Sequence, residues 1–225
     1  MTLSKNEKTN RKMKYHLYQS ETKQYPLFLL PSYQDDGEEV YHLSKKLSGK
    51  DFSLLIIYDF DWEKQRTPWP SPAISKNSGP FSGLADEYLS YLSKSLLPEA
   101  MKKVSPSKVG ILGYSLAGLF SLYSLYRLEC FSLAASVSGS LWYPSFDQFI
   151  VSSQRKKTPD KVYLSVGDKE KKTSNPFLSQ VEKKTKYVYE YYKSIGIPAF
   201  YELNDGNHFK DVSLRLAKAI AYLLK

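Results

Sequence analysis

Lys108-Val-Gly-Ile-Leu-Gly-Tyr-Ser-Leu-Ala-Gly118, running on into Leu119-Phe-Ser-Leu-Tyr-Ser-Leu-Tyr126, is the stretch whose reading decides the fold. Its first half is short and apolar and reads as a buried strand; its second half reads as an apolar helix. Between them lies Gly113-x-Ser115-x-Ala117-Gly118, a variant of the nucleophile elbow, in which a serine is held on a strained strand-to-helix turn. Gly113 and Ala117 stand two residues either side of Ser115, where a larger side chain would meet neighbouring backbone. The helix that follows aims its first N–H groups at the region of the hydroxyl, an environment suited to developing negative charge.

Working outward, further apolar runs bounded by turn residues predict strands over 25–30, 52–58, 108–112, 133–137, 162–166 and 199–203. Several are continuously apolar, as strands covered on both faces are. Helical patterns fill the intervals at 38–47, 83–104, 116–126, 179–194 and 211–224. The alternation predicts an α/β fold: an open, mostly parallel sheet with helices on both faces. Residues 14–19 are expected to add an antiparallel edge strand. Residues 1–14, rich in Lys, Asn and Thr, read as a loosely attached basic arm without a secretory signal, ahead of one domain over 15–225.

The chain has 225 residues, 42% of them hydrophobic, enough for one sizeable core. No apolar run is long enough for a membrane-spanning helix, so no membrane partner is expected. A single cysteine, Cys130, excludes an internal disulfide and a thiolate metal cluster and fits a cytoplasmic protein. The formal charge is +9, but the lysine clusters accompany no nucleic-acid motif and read as a solvated surface, so no nucleic-acid partner is expected. Neither metal-ligand spacing nor a specific phosphate loop is present, so catalysis is expected to need no cofactor and no metal.

A serine hydroxyl needs a base to become nucleophilic. Of the three histidines, His16 lies near the edge strand and His42 within a helix, whereas His208 follows the last strand in Asn204-Asp-Gly-Asn-His-Phe209. That places it at the strand C-terminal edge, where the elbow also points. An acid must then orient the imidazole, and two compete in Val166-Gly-Asp168-Lys-Glu170. Glu170 fits a Gly-x-x-acid spacing, while Asp168 is nearer the strand end and shorter. The order serine, acid, histidine is that of α/β-hydrolases. For the oxyanion hole, one donor is expected from the Leu116 N–H. A second is expected from the turn Leu30-Pro-Ser-Tyr-Gln-Asp35, where Pro31 has no N–H, which leaves Tyr33 ahead of Ser32.

With these residues in view, the chain resembles the putative esterase family of α/β-hydrolases, in the branch of siderophore-type and esterase D-like enzymes. The resemblance rests on Gly-Tyr-Ser-Leu-Ala-Gly at 113–118, Ser-Gly-Ser-Leu-Trp-Tyr at 138–143, Gly-Asp-Lys-Glu at 167–170 and Gly-Asn-His-Phe at 206–209. Asp61-Trp, Thr67-Pro-Trp-Pro-Ser-Pro and Phe81-Ser-Gly-Leu-Ala-Asp-Glu-Tyr88 extend it. It implies a serine carboxylic-ester hydrolase with Ser115 as nucleophile and His208 as base, and its Gly-x-x-acid position maps onto Glu170. The chain departs from the family at the oxyanion turn, where many relatives carry His-Gly or Asp-Gly and this one has Pro31-Ser32.

The interval between 137 and 161 is too short for a cap domain, so a minimal α/β-hydrolase with an open cleft is expected. Trp142, Tyr143 and the loop around Trp69 are expected to wall it, and a polar or bulky small-molecule ester to fill it. Lys64 and Arg66, in the long Pro-, Ser- and Gly-rich connection 59–82, are candidates for meeting an anionic substrate. The alternatives are an acyltransferase on the same machinery and a non-catalytic binding protein.

Overall fold

The run of apolar residues at 27–31 becomes the middle of a sheet because both of its faces find cover. In the computed structural model, which describes residues 14–21, 24–58, 66–75 and 78–225, strand β2 (Leu27–Pro31) is buried at every position. Side chains alternate across a strand. Leu27 and Leu29 accordingly join one apolar cluster with Leu55, Ile57 and Ile111, while Phe28 and Leu30 join another with Leu54, Ile56 and Leu112.

The remaining sheet strands are β1 (Lys14–Tyr18), β3 (Ser53–Tyr58), β6 (Val109–Tyr114), β7 (Leu133–Val137), β8 (Lys161–Gly167) and β9 (Ala199–Asn204). A separate two-stranded ribbon pairs β4 (Pro70–Ser71) with β5 (Phe81–Ser82). The seven-stranded sheet runs β1-β3-β2-β6-β7-β8-β9. Only β1 is antiparallel, pairing Lys14 to Tyr58 through Tyr18 to Leu54, so the edge strand expected at 14–19 is present. The basic arm expected at the N-terminus and the Asp61-Trp segment lie outside the described residues, apart from Lys14 at the start of β1.

Helix α1 (Gly37–Ser48) carries Glu38 and Glu39 in its first turn and Lys45 and Lys46 in its last, complementing the helix dipole, and ends at Gly49 with φ 64°. The single helix expected over 83–104 is divided into α2 (Ala85–Tyr91), a π turn (Leu92–Leu96) and α3 (Leu97–Val104). Pro98 has no N–H to return to the preceding turn, and the wide turn sits immediately before it. Then follow α4 (Leu116–Ser124), α5 (Phe146–Ser152), α6 (Val181–Ser194) and α7 (Val212–Leu223). Helices α2, α3, α4 and α6 contribute to the first cluster and α1 and α7 to the second, so the sheet is covered on both faces.

The strand order positions the site. From β2 the chain moves outward to β3 on one side, and from β6 it moves through β7, β8 and β9 on the other. The connections leaving β2 and β6 therefore diverge at the C-terminal edge, and such a switch point opens a crevice.

Candidate active site

Strand β6 ends at Tyr114 and α4 begins at Leu116, which leaves Ser115 alone to turn the chain. It does so at φ 57° and ψ −123°, a backbone region that costs about 1–3 kcal/mol for a residue with a side chain. The surroundings impose it. A Cβ on Gly113 would stand 2.4 Å from the backbone of Ala117, and one on Gly118 would stand 2.9 Å from Cα of Gly139. The Ser115 N–H donates to the Val137 carbonyl at 3.2 Å, and the Ser115 carbonyl accepts from the N–H groups of Gly118, Leu119 and Ser140 at 3.0–3.2 Å. The hydroxyl lies 3.5 Å from that of Ser140 and is not hydrogen-bonded to His208. Both Ser115 and His208 line the same two cavities.

The acid and the base arrive from neighbouring strands. The turn after β8 folds Glu170 back, so that its carboxylate accepts the Gly167 N–H at 2.6 Å. Its Oε1 also accepts the Ser138 hydroxyl at 2.7 Å and Nη1 of Arg215 at 3.1 Å. Its Oε2 lies 2.7 Å from Nδ1 of His208. Glu170 is only 3% exposed; burial pushes its carboxyl upward, yet the His208 contact and the Ser138 and Gly167 donors outweigh that and hold it below its ordinary 4.5. Asp168 does something else: its Oδ1 accepts the N–H of Gly206 at 2.7 Å and so closes the turn that leads to His208. The imidazole is thus paired with Glu170, not Asp168.

Three residues to which the sequence assigned no role complete this arrangement. Arg215 of α7 is 1% exposed and donates from Nη2 to the carbonyls of Asp205 and Asn207 at 2.9 and 3.1 Å, tying the histidine loop to the acid. Tyr114 donates to the His208 carbonyl at 2.7 Å. Ser138, at φ 46°, serves Glu170. Arg215 had a signal: it stands one turn from Ala219 and beside Leu216 on the apolar face of its helix, where a charge needs a reason.

A serine on a forced turn at the switch point, with a buried Glu–His pair from the connections after β8 and β9, is the layout of a serine hydrolase. Comparison with known proteins agrees. The family model described as Putative esterase matches residues 7–220. The chain belongs to that family. It is an esterase with the α/β-hydrolase fold. The uncharacterized protein YbbA of Bacillus subtilis (strain 168) is 27% identical over 198 residues, which is 77% of this chain and 79% of YbbA. An IroE-like serine hydrolase from Shewanella oneidensis has a similar structure, with a TM-score of 0.78 at 18% identity, over 94% of this chain and 75% of that one. The siderophore hydrolase EstA of Aspergillus nidulans has a TM-score of 0.65 at 15% identity, over 100% and 98%.

The esterase departs from sequence expectation at its cleft walls. Trp142 lines the cleft, in a cavity of about 180 Å³ with Leu178 and Val181. Tyr143 does not: it is 1% exposed, and its hydroxyl donates to the Trp69 carbonyl at 2.5 Å. Trp69 donates from Nε1 to the Pro144 carbonyl at 3.1 Å and packs on Tyr143 and Phe149. Both are posts that brace the β4–β5 ribbon against α5, not cleft walls. Arg66 is corrected likewise. Its side chain is fully buried, with the guanidinium carbon 4.0 Å from the Tyr88 ring and 5.1 Å from the Phe120 ring, and burial lowers its pKa to about 10. It is sealed away from any substrate. Lys64 lies outside the described residues.

At the oxyanion turn, the Ser32 N–H is spent on the Ile57 carbonyl at 2.9 Å. Tyr33 lines a second cavity of about 360 Å³ with Gln34, Asp36 and Ser115. The Leu116 N–H opens α4 directly after Ser115. The other histidines sit apart from this arrangement: His16 is 3.2 Å from Asp35, and His42 is exposed on α1. Among the described residues no group of side chains has the makings of a metal site, and no helix is long and apolar enough to cross a membrane.

Proposed function

We propose that the esterase hydrolyses a polar or bulky carboxylic ester through an acyl-enzyme. Ser115 attacks the carbonyl, His208 takes its proton through Nε2 and returns it to the leaving alcohol, and Glu170 holds the imidazole and stabilises its cation. The N–H groups of Leu116 and Tyr33 receive the oxyanion. Water then repeats the sequence to release the acid.

The observation that carries this reading is the 2.7 Å contact between Glu170 and Nδ1 of His208, which commits that nitrogen and leaves Nε2 for the cleft shared with Ser115. A rotation of the Ser115 side chain away from Ser140 turns its hydroxyl toward the imidazole; such contacts commonly tighten only when substrate binds. The cleft has an apolar arm at Trp142 and a more polar arm at Gln34, so both halves of a sizeable ester find room. Acetyl-type esters and siderophore-type esters both belong to that class, the latter brought to mind by the siderophore hydrolase EstA.

A substrate screen over acetyl, butyryl and ferric-siderophore esters tests the proposal. Cleavage is expected with a loss of about 10³–10⁶ in kcat on Ser115→Ala or His208→Ala. Hydrolysis that survives Ser115→Ala unchanged contradicts it.

A further inference from the structure

The two arms of the cleft differ in charge. Among the described residues that line them there is no lysine or arginine, although the chain as a whole is strongly basic. The carboxylate of Glu170 is engaged with Arg215 and His208. That leaves Asp36, which lines the larger arm beside Ser115, as the charge a substrate meets.

Asp36 occupies the N-cap position of α1, where an aspartate ordinarily bonds the helix's first N–H groups. Here the side chain makes no cap hydrogen bond. It turns back instead, and its Oδ1 accepts the Ser32 hydroxyl at 2.8 Å. The Ser32 backbone is itself fixed by the sheet through Ile57. The carboxylate is therefore held in place within the oxyanion turn, half-buried at the cavity wall, with Oδ2 engaged by no described side chain. Burial also raises its pKa, because water solvates the charge poorly there. A cation or strong donor brought by a ligand relieves that cost.

We propose that this arm is a subsite for a positively charged or hydrogen-bond-donating group of the ester, an ammonium above all, with Asp36 as its recognition residue. The proposal rests on the assignment of Ser115 as nucleophile and names the substrate class for that site. It selects against anionic esters, the reverse of what the net charge suggests. An ion pair of this kind gives a preference of roughly 10- to 100-fold.

Two pairs of isosteric esters test it. One compares butyrylcholine with 3,3-dimethylbutyl butyrate, which places the ammonium on the alcohol side. The other compares ethyl 4-(trimethylammonio)butyrate with ethyl 5,5-dimethylhexanoate, which places it on the acyl side. In one pair kcat/KM is expected to favour the cation about 10- to 100-fold, and Asp36→Asn, which keeps an acceptor for Ser32, is expected to bring that ratio close to one. The same ratio is read as binding affinity in Ser115→Ala, where no turnover is needed. Equal values for cation and isostere in both pairs, or a ratio that Asp36→Asn leaves unchanged, overturns the subsite. Failure of the nucleophile assignment looks different: Ser115→Ala then keeps hydrolysing the neutral esters.

Discussion

Glu170 and Asp168 are two residues apart and carry the same charge, yet they are built into different tasks. Glu170→Gln keeps a similar shape but cannot hold the imidazolium, and kcat is expected to fall about 10³–10⁴-fold. Asp168→Asn is expected to cost stability more than rate, because its acceptor serves the N–H of Gly206; an urea titration beside the kinetic assay separates the two effects. Glu170 also predicts a pH dependence. Its carboxyl is held below 4.5 in the fold, so its ionised form stabilises the protein above the unfolded value and the contribution fades as pH falls through the folded one. The stability difference between wild type and Glu170→Gln should thus be largest above about pH 5 and shrink below about pH 4; a difference independent of pH contradicts this. The spacing after Gly167 favoured Glu170 in the sequence, but its partners were beyond reach there. Ser138 and Arg215 come from segments 32 and 45 residues away, and nothing in the sequence around Glu170 announces them.

At the scale of elements, the site depends on how closely turns pack. A Cβ on Gly167 would fall 2.3 Å from the carbonyl oxygen of Gly206 and 2.9 Å from Oε1 of Glu170. Gly167→Ala is therefore expected to push the β8 and β9 turns apart and lower kcat by about 10²-fold or more, since a displacement of about 1 Å suffices for that. Helix α7 contributes through Arg215, which bridges acid and histidine loop. Arg215→Met leaves a buried carboxylate without its cation, at a cost of about 3–5 kcal/mol, or roughly 10 °C in Tm; a thermal melt that moves by less than about 2 °C would show the bridge to be dispensable. Elements themselves were largely legible. The strands of the main sheet announced themselves by apolar runs and most helices by their period, and even the weakly marked edge strand β1 was expected, whereas the short β4–β5 ribbon and α5 were given no range. The interruption at Leu92–Leu96 was hidden because the apolar period of the helix runs through it, and only Pro98 hinted at a break.

For the whole molecule, the sheet order brings together what the sequence keeps apart: Ser115 after β6, Glu170 after β8 and His208 after β9 share one edge. That convergence was legible from the alternation of strands and helices alone, because parallel strands send all their following loops to the same side. The cleft walls were not. Trp69 and Arg66 on the long connection, and Tyr143 after β7, were expected to face a substrate, yet they pack inward against α2, α4, α5 and one another. Side-chain identity does not report which face a non-repetitive loop presents. What unites residue, element and fold in the proposed mechanism is a serine made nucleophilic by a histidine from another part of the chain. The most direct test is covalent labelling with a fluorophosphonate, followed by mass mapping of the modified peptide. A single adduct on Ser115 is expected, with a labelling rate at least about 10³-fold slower in His208→Ala. An adduct elsewhere, or unchanged labelling of Ser115 without His208, contradicts the account.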